Sequence, residues 1–348
     1  MRKLDMTTFP FPQSDPTDLY RLRDGLYAVD LLGAALVEFD FFTWLEANPS
    51  SLAGLCSGLG IQERPADVLL TLCASMDLVQ QQNGVFRITD KAREFLVEGS
   101  PFNMKAYYAA LKDRPVCQDY MKILRTGKPA NWGSFKDEKD WARAMEDDAF
   151  AQTFTAAMDC RGLVLAPSLA EKVNIAACRR LLDVAGGSGV YASAMVARHP
   201  HLEAAVFEKP PVDQVAVRAL ARRDMAERIA VTSGDMFRDD WPEGYDAHLL
   251  SNVLHDWDVA EVKQLLSSSF HALPPGGVLI LHDAHINESK TGPLPVAMYS
   301  ALLMHTTEGK CYSLSEMQTW LAEIGFDDFE FAETTMDRSF IMARKPPN

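Results

Sequence analysis

From Arg180 onward, short apolar runs alternate with longer stretches whose apolar residues recur at helical spacing. RRLLDVA, LEAAVFE, IAVTSGDM, YDAHLLSNVL and GVLILHDAHI read as strands, with DFEFAET and SFIMARKP as a closing pair. Helices are predicted between them at 188–199, 212–228, 259–273 and 314–324. Asp258 with Glu261, and Ser313 with Glu316, are spaced as capping boxes, which makes the starts of the last two helices the sharpest boundaries. Strands alternating with helices build an α/β fold: a doubly wound, Rossmann-like sheet, mostly parallel and here with its last strand antiparallel. Such sheets take ligands at the carboxyl ends of their strands.

The first third of the chain has a different texture. AVDLLGAALVEFDFFTWLEA is apolar along its length, as suits a helix buried on most faces or shared with a second subunit. SSLAGLCSGLG then reads as a short Ser-capped helix and ERPADVLLTLCASMDLV as a longer one with Pro65 in its first turn. VQQQNGVFRITDKAREFL reads as a hairpin turned at Asn-Gly. This is the order of a winged helix, whose second helix would enter a DNA groove. That helix instead carries Leu69, Leu70, Leu72, Cys73 and Met76 with Asp67 and Asp77, which neither read base edges nor attract phosphate. No nucleic-acid partner is expected, and the surplus of apolar surface on these helices predicts a homodimer.

Beyond it, the stretch from GSPFNMKAYYAALKDRP to GKPANWGSFKDEKDW reads as a linker, with the charge run Lys136–Asp140 as a solvated loop. AFAQTFTAAMDCRG is a helix that aligns Phe150, Phe154, Ala157 and Met158. The expected division is a winged-helix-like dimerisation domain over 1–100, a helical linker contributing to the pocket over 101–165, and a ligand-binding α/β domain over 166–348.

Composition narrows the partners. The 348 residues, 47% of them hydrophobic, can fill two cores. Lys plus Arg number 34 against 48 Asp plus Glu, and the resulting net charge of -14 disfavours polyanions. The six cysteines form no CxxC pair, so neither a disulfide framework nor a zinc site is expected, and a reduced, cytoplasmic setting fits. MRKLDMTTFPFPQSDP lacks the apolar core of a signal peptide, and no apolar run is long enough to predict a membrane span.

The candidate chemistry gathers at the strand ends. In LLDVAGGSGVYASAMVARHP a strand runs into a glycine turn and then a helix, with Gly187, Gly189 and Ala192 in the spacing of a dinucleotide fingerprint. Asp183, Glu208, Asp235, His255 and Asp283 fall at the ends of five successive strands. Each alone could cap a turn or face solvent; together they mark a site. Glu208 lies about 20 residues past the glycines, where an acid accepts ribose hydroxyls of NAD or of S-adenosylmethionine alike. Asp183 and Asp235 separate the two. A pyrophosphate ~4 Å from a carboxylate costs about 1 kcal/mol in water and several in a dehydrated cleft. S-adenosylmethionine carries a cationic sulfonium and ammonium and an adenine amine, so an acid-lined glycine cleft suits it. A NAD-dependent oxidoreductase is the alternative, and a winged-helix metabolite sensor the third reading.

LLDVAGGSG, VFEKPPV, SGDMF, LLSNVLHDW, LPPGGVLILHDAHI and LAEIGF stand in an order and spacing that resemble the caffeate- and hydroxyindole-type O-methyltransferases, over essentially the whole chain. This family includes bacterial enzymes of antibiotic and pigment pathways. The resemblance implies a winged-helix-like dimerisation domain before a methyltransferase domain that binds S-adenosylmethionine. It implies that Glu208 holds the ribose, that Asp235 and Met236 frame the adenine, that Trp257 packs near the cofactor, and that His255 is the general base. The full expected cofactor set is Asp183, Gly186, Gly187, Gly189, Glu208, Asp235, Met236, Phe237, Ser251 and Trp257. Four positions depart from the family pattern. Ala185 replaces its first glycine and Ser251 a lysine of the plant enzymes. Of the two acids flanking the histidine, one becomes the shorter Asp283 and the other falls at Cys311, leaving either Asp283 alone or Glu308 to orient the imidazole.

Methyl transfer is an in-line displacement in which the protein aligns the nucleophile and takes its proton. A phenol with a pKa near 10 benefits from a positioned imidazole, and Asp283 on the other ring nitrogen would fix the tautomer. Phe154, Met158, Leu303 and Met304 are candidates for the wall around a small aromatic acceptor, or plain core. In HDAH, His282, Asp283 and His285 are ligand types, but along a strand His282 points away from the other two, so no metal is expected. N- or C-methylation, or non-methylating chemistry on the same fold, stays open.

Overall fold

The structure is a computed structural model that describes Phe9, residues 12–130 and residues 148–347; the charge run Lys136–Asp140 lies outside them. The chain packs as two compact units. Met1–Thr17, Asp140–Ala284 and Glu316–Asn348 make one, and Asp18–Lys139 with His285–Ser315 make the other. The contacts therefore cut the chain elsewhere than at the expected 100/101 and 165/166 boundaries, and they return 285–315 to the helical unit.

The helical unit opens with α1 (Thr17–Asp24), α2 (Ala28–Glu38) and α3 (Phe41–Ala47). The apolar run expected as one helix is thus two, because Asp40 takes a left-handed φ of 45° between them. α4 (Leu52–Leu59) starts on Ser51, whose hydroxyl accepts the Gly54 N–H. α5 (Glu63–Ser75) follows, and β1 (Val79–Gln82) pairs antiparallel with β2 (Val85–Ile88) across Asn83 and Gly84, both at positive φ. α6 (Asp90–Leu96), α7 (Lys105–Ala109) and α8 (Pro115–Thr126) complete its first part, so the front of the expected linker is helical and packed. Leu69, Leu70, Leu72 and Cys73 of α5 are buried in this unit, which removes them from any groove-reading role. The same burial overturns the surface argument for a dimer. Most of α2 and α5 is covered within the unit, and the exposed apolar side chains near the N-terminus are instead Leu19, Leu22, Leu26 and Val29.

The second unit begins with α9 (Asp148–Lys172) and then alternates: β3 (Arg180–Val184), α10 (Val190–Arg198), β4 (Glu203–Glu208), α11 (Val212–Arg222), β5 (Ile229–Ser233), β6 (Ala247–Ser251), α12 (Val259–Ala272) and β7 (Val278–Asp283). α13 (Leu294–Thr306) belongs to the helical unit. α14 (Leu314–Ile324), β8 (Asp327–Glu333) and β9 (Ser339–Arg344) end the chain. The seven strands lie in the order β5-β4-β3-β6-β7-β9-β8, parallel except for β9, which runs against both β7 and β8. After β3 the chain goes first to one side and later to the other, so the switch point lies between β3 and β6, above the glycine turn. Every residue of β7 is buried, as expected of a central strand covered on both faces. The edge strand β8 is exposed, and its Asp327, Asp328, Glu330 and Glu333 discourage further pairing.

α13 was not legible from periodicity because it is apolar on all sides. Its residues from Tyr299 to His305 are all buried, against α5, α2 and α8. Charge ties this returning segment to α5. Lys290 Nζ donates to Asp67 at 2.9 and 3.1 Å, Lys310 Nζ donates to the same carboxylate, and Arg64 donates to the carbonyls of Thr307, Gly309 and Gly127. Lys310 is 6% exposed. Among the described residues no helix is long and apolar enough to cross a membrane.

Asp67→Ala would leave the Lys310 ammonium buried without its carboxylate, and we expect it to lower the unfolding free energy by about 3 kcal/mol. Urea denaturation checks this; a midpoint unchanged from the wild type would mean that the lysines find other partners.

Candidate active site

Asp183 ends β3 with its carboxylate turned back under the glycine turn, where Oδ2 accepts the Ala192 N–H at 3.1 Å. The turn presses so closely on it that a Cβ at Gly186 would stand 2.6 Å from the Asp183 carboxyl carbon, so that position admits no side chain. Burial raises the Asp183 carboxyl from 3.8 to about 7, with the Ala192 hydrogen bond opposing and the Glu208 charge adding. Ala185, where the resembling family has glycine, sits at φ 52°, a left-handed conformation that a Cβ tolerates at a cost. Its N–H donates to the Phe207 carbonyl of the neighbouring strand at 2.8 Å.

Glu208 ends β4 and closes the other side of the turn. Its Oε2 accepts the Gly187 N–H at 3.1 Å and its Oε1 the Lys209 N–H at 3.0 Å, so both oxygens are oriented and each keeps a lone pair. Burial raises this carboxyl too, against the two N–H donors and the Lys209 charge. Asp235 lies past β5 in a loop of its own making. Its Oδ1 accepts the Phe237 N–H at 2.9 Å, its N–H donates to Asp239, and Trp241 Nε1 donates to the Met236 carbonyl. Asp235, Met236 and Phe237 are half-buried, and the Phe237 ring meets Trp257 edge-on with centroids 4.6 Å apart. The expected adenine residues and Trp257 thus form one cluster.

After β6 the chain makes a single 3-10 turn, Leu254–Asp256, which aims His255 at the end of β7. His255 Nδ1 donates to Asp283 Oδ1 at 2.5 Å, and the same oxygen accepts the Ala284 N–H at 2.7 Å. On the other side of the ring, Asp256 Oδ1 stands 3.6 Å from Nε2. Burial raises the Asp256 carboxyl, with Asp283 adding to the shift and His255 and Arg161 opposing it. Asp256 is not among the residues expected at the site from the sequence. Its adjacency to His255 was the available signal, because a tight turn can bring consecutive side chains to one place.

Ser251, expected at the cofactor, is engaged by its neighbours. Its hydroxyl shares a hydrogen bond with His282 Nδ1 at 2.9 Å and accepts from Asn252 Nδ2 at 3.1 Å. Asn252 also donates to Tyr191 OH at 3.0 Å, and His282 Nε2 meets Thr334 Oγ1 at 3.1 Å. His282 and Asp283 therefore face different partners and do not converge as metal ligands. Of the expected acceptor residues, half-buried Phe154 and Met158 lie on α9 in the same unit as this site, whereas buried Leu303 and Met304 lie on α13 in the helical unit. Phe154 packs with Phe150 against Ala151 and Val212, at the start of the helix that follows Glu208. Cys311, at the place of the second acid, and Glu308, the alternative to Asp283 alone, also belong to the helical unit.

Comparison with known proteins gives a consistent result. The O-methyltransferase domain family matches residues 123–327. A 3-hydroxy-5-methyl-1-naphthoate 3-O-methyltransferase of Streptomyces sahachiroi is 33% identical over 313 residues, covering 89% of each chain. The acetylserotonin O-methyltransferase of Bos taurus is 30% identical, covering 86% of this chain and 88% of that one. Among solved structures, an O-methyltransferase family 2 protein from Planctomyces limnophilus in complex with apigenin superposes with a TM-score of 0.87 at 30% identity, covering 99% of this chain and 100% of that one.

The raised carboxyl of Asp183 has a definite sign. Since its folded value of about 7 lies above 3.8, the protein carries no penalty at low pH and loses stability as pH rises from about 4 to about 7, with no further loss above. Asp183→Asn keeps an acceptor for Ala192 and escapes this loss. Without ligand it should gain on the wild type by on the order of 3 kcal/mol between pH 5 and 8. A difference in denaturant midpoint that stays constant over that range would contradict the assignment.

Proposed function

The chain belongs to the O-methyltransferase family and is an S-adenosylmethionine-dependent O-methyltransferase, and from that premise we propose that it methylates a phenolic hydroxyl of a small, flat aromatic acceptor with His255 as general base. The observation that carries this reading is the 2.5 Å bond from His255 Nδ1 to Asp283. With Nδ1 donating, Nε2 is the basic nitrogen, and it is the one that can take a proton from a substrate. Asp283, itself held by the Ala284 N–H, keeps the ring in that tautomer and stabilises the imidazolium. Asp256 beside Nε2 supplies a second carboxylate on the side where the proton arrives. This is one way for the site to manage without the second acid that Cys311 replaces.

The cofactor, when bound, supplies a methyl group already activated on a sulfonium. The acid-lined turn fits it: buried Asp183 and half-buried Glu208 are carboxyls raised by desolvation, and each Glu208 oxygen keeps a lone pair for a ribose hydroxyl. In this reading Glu208 grips the ribose, Asp235, Met236 and Phe237 frame the adenine with Trp257, and Gly186, Gly187 and Gly189 let the backbone come close. Ser251 acts at one remove, by fixing Asn252 and His282. Phe154 and Met158, half-buried on α9, form the acceptor wall. A flat phenol is favoured because the naphthoate enzyme acts on a 3-hydroxyl and the Planctomyces protein was solved with apigenin. N- or C-methylation is the runner-up, and the position of a transferred labelled methyl separates it from O-methylation.

We further place the enzyme in the cytoplasm as a homodimer. Six free cysteines support a reducing compartment, and exposed Leu19, Leu22, Leu26 and Val29 support a second copy. A monomer mass at micromolar concentration by light scattering would contradict the dimer.

Two variants test the site. Glu208→Ala should weaken S-adenosylhomocysteine binding by about 2 kcal/mol, near thirtyfold by calorimetry, through the lost charge-assisted hydrogen bonds. His255→Ala should leave that binding intact and reduce kcat by about 10²- to 10⁴-fold on the best acceptor of a panel of hydroxynaphthoates, flavones and hydroxyindoles. The deficit should shrink as pH approaches 10, where a phenol ionises unaided. Full activity of His255→Ala near neutral pH would mean that alignment alone drives transfer.

A further inference from the structure

α9 runs close beside the glycine turn. A Cβ on Gly162 would stand 2.4 Å from Val190, the first residue of α10, so the two helices touch nearly backbone to side chain. Almost one turn earlier, Asp159 sends its carboxylate into the turn itself. Ser188 Oγ, between Gly187 and Gly189, donates to Asp159 Oδ1, and so does Arg223 Nη2 from the end of α11. Arg223 Nη1 also donates to the Ser188 carbonyl, at 3.1 Å. Ser188 is thus gripped at both its hydroxyl and its backbone by one ion pair. The side chains of Arg223 and Asp159 are 11% and 24% exposed, so the pair is shielded far more than a surface salt bridge and its hydrogen bonds are charge-assisted.

What this pair holds in register is specific. On one side is the turn whose Gly187 N–H orients Glu208. On the other is the stretch of α9 that bears Met158, adjacent to Asp159, and Phe154, whose ring stacks on Phe150 at 6.3 Å. Thr155, between them, reaches within 3.9 Å of where a Gly187 Cβ would stand.

We propose that Asp159 is a positioning residue, a latch through Ser188 and Arg223 that ties the Phe154–Met158 segment of α9 to the cofactor turn, so that filling the cofactor site sets the acceptor wall. The inference rests on α9 forming part of that wall. Occupying the turn restrains Ser188; Ser188 restrains the carboxylate; and the helix on which the carboxylate sits is restrained with it. Acceptor affinity is then coupled to cofactor occupancy by a salt bridge that touches neither ligand.

Amide hydrogen exchange of the full chain, with and without S-adenosylhomocysteine, tests the latch. In the wild type the ligand should slow exchange about tenfold both in peptides spanning 181–198 and in those spanning 150–162. In Asp159→Ala, and in the double variant Ser188→Ala/Arg223→Gln, which removes both the hydroxyl and the arginine bridge, slowing at 181–198 should persist while that at 150–162 falls below about twofold. Should Asp159→Ala fail to fold, the double variant decides alone. Undiminished protection of 150–162 in the variants overturns the proposal, since α9 would then be held by the ligand directly. Loss of protection in both segments overturns it as well, because the pair would then be part of the cofactor site. The acceptor reading has its own arm: Phe154→Ala should raise the acceptor KM, and an unchanged KM would remove the wall while leaving the exchange result standing.

Discussion

The constraint on which the site depends is the burial of one carboxylate beneath a backbone turn. Asp183 holds the first turn of α10 through Ala192, excludes any side chain at Gly186, and puts a negative charge beside Glu208. That environment is unfavourable for an anion and costs the protein without ligand some of its stability. The same environment selects for a cation. A pyrophosphate would add charge of the wrong sign, whereas a sulfonium and an ammonium relieve the strain the fold has built in. Under the proposed function, cofactor choice is in this sense an electrostatic property of the β3–α10 junction.

The sequence was legible where local chemistry and global fold agree. Six of the seven strands of the sheet fall inside their expected runs and β8 starts one residue before its own, since most are short, apolar and bounded by polar turns. Ser51 caps its helix and Asn83-Gly84 turns its hairpin because both are decided within a few residues. Legibility failed where the deciding interaction is distant. Nothing near Asp40 announces the break between α2 and α3, and α13 lacks a polar face because it is surrounded on every side. The boundary near 284 depends on Asp67 meeting Lys290 and Lys310, more than two hundred residues apart in the chain.

Within the site, the pairing of His255 with Asp283 could be anticipated because both stand at the ends of neighbouring strands. The places of Asp256 and Asp159 could not. Each is a common acidic residue in a helical context, where a solvated surface is the ordinary expectation, and only the fold turns one toward an imidazole and the other toward a glycine turn. Ser251 shows the reverse: a position expected to meet a ligand is engaged by neighbouring side chains.

The return of 285–315 to the helical unit bears on how the chain is made. A ribosome releases residues 18–139 long before the stretch that completes their packing, and until then α5 and α2 lack the apolar helix that covers them. The α/β unit is interrupted in the same way, since its closing strands β8 and β9 emerge after that stretch. Neither unit is a beads-on-a-string module that could be cut out, swapped between relatives or expressed from one continuous piece of gene. Their synthesis is interleaved, so maturation of both waits for the last sixth of the polypeptide.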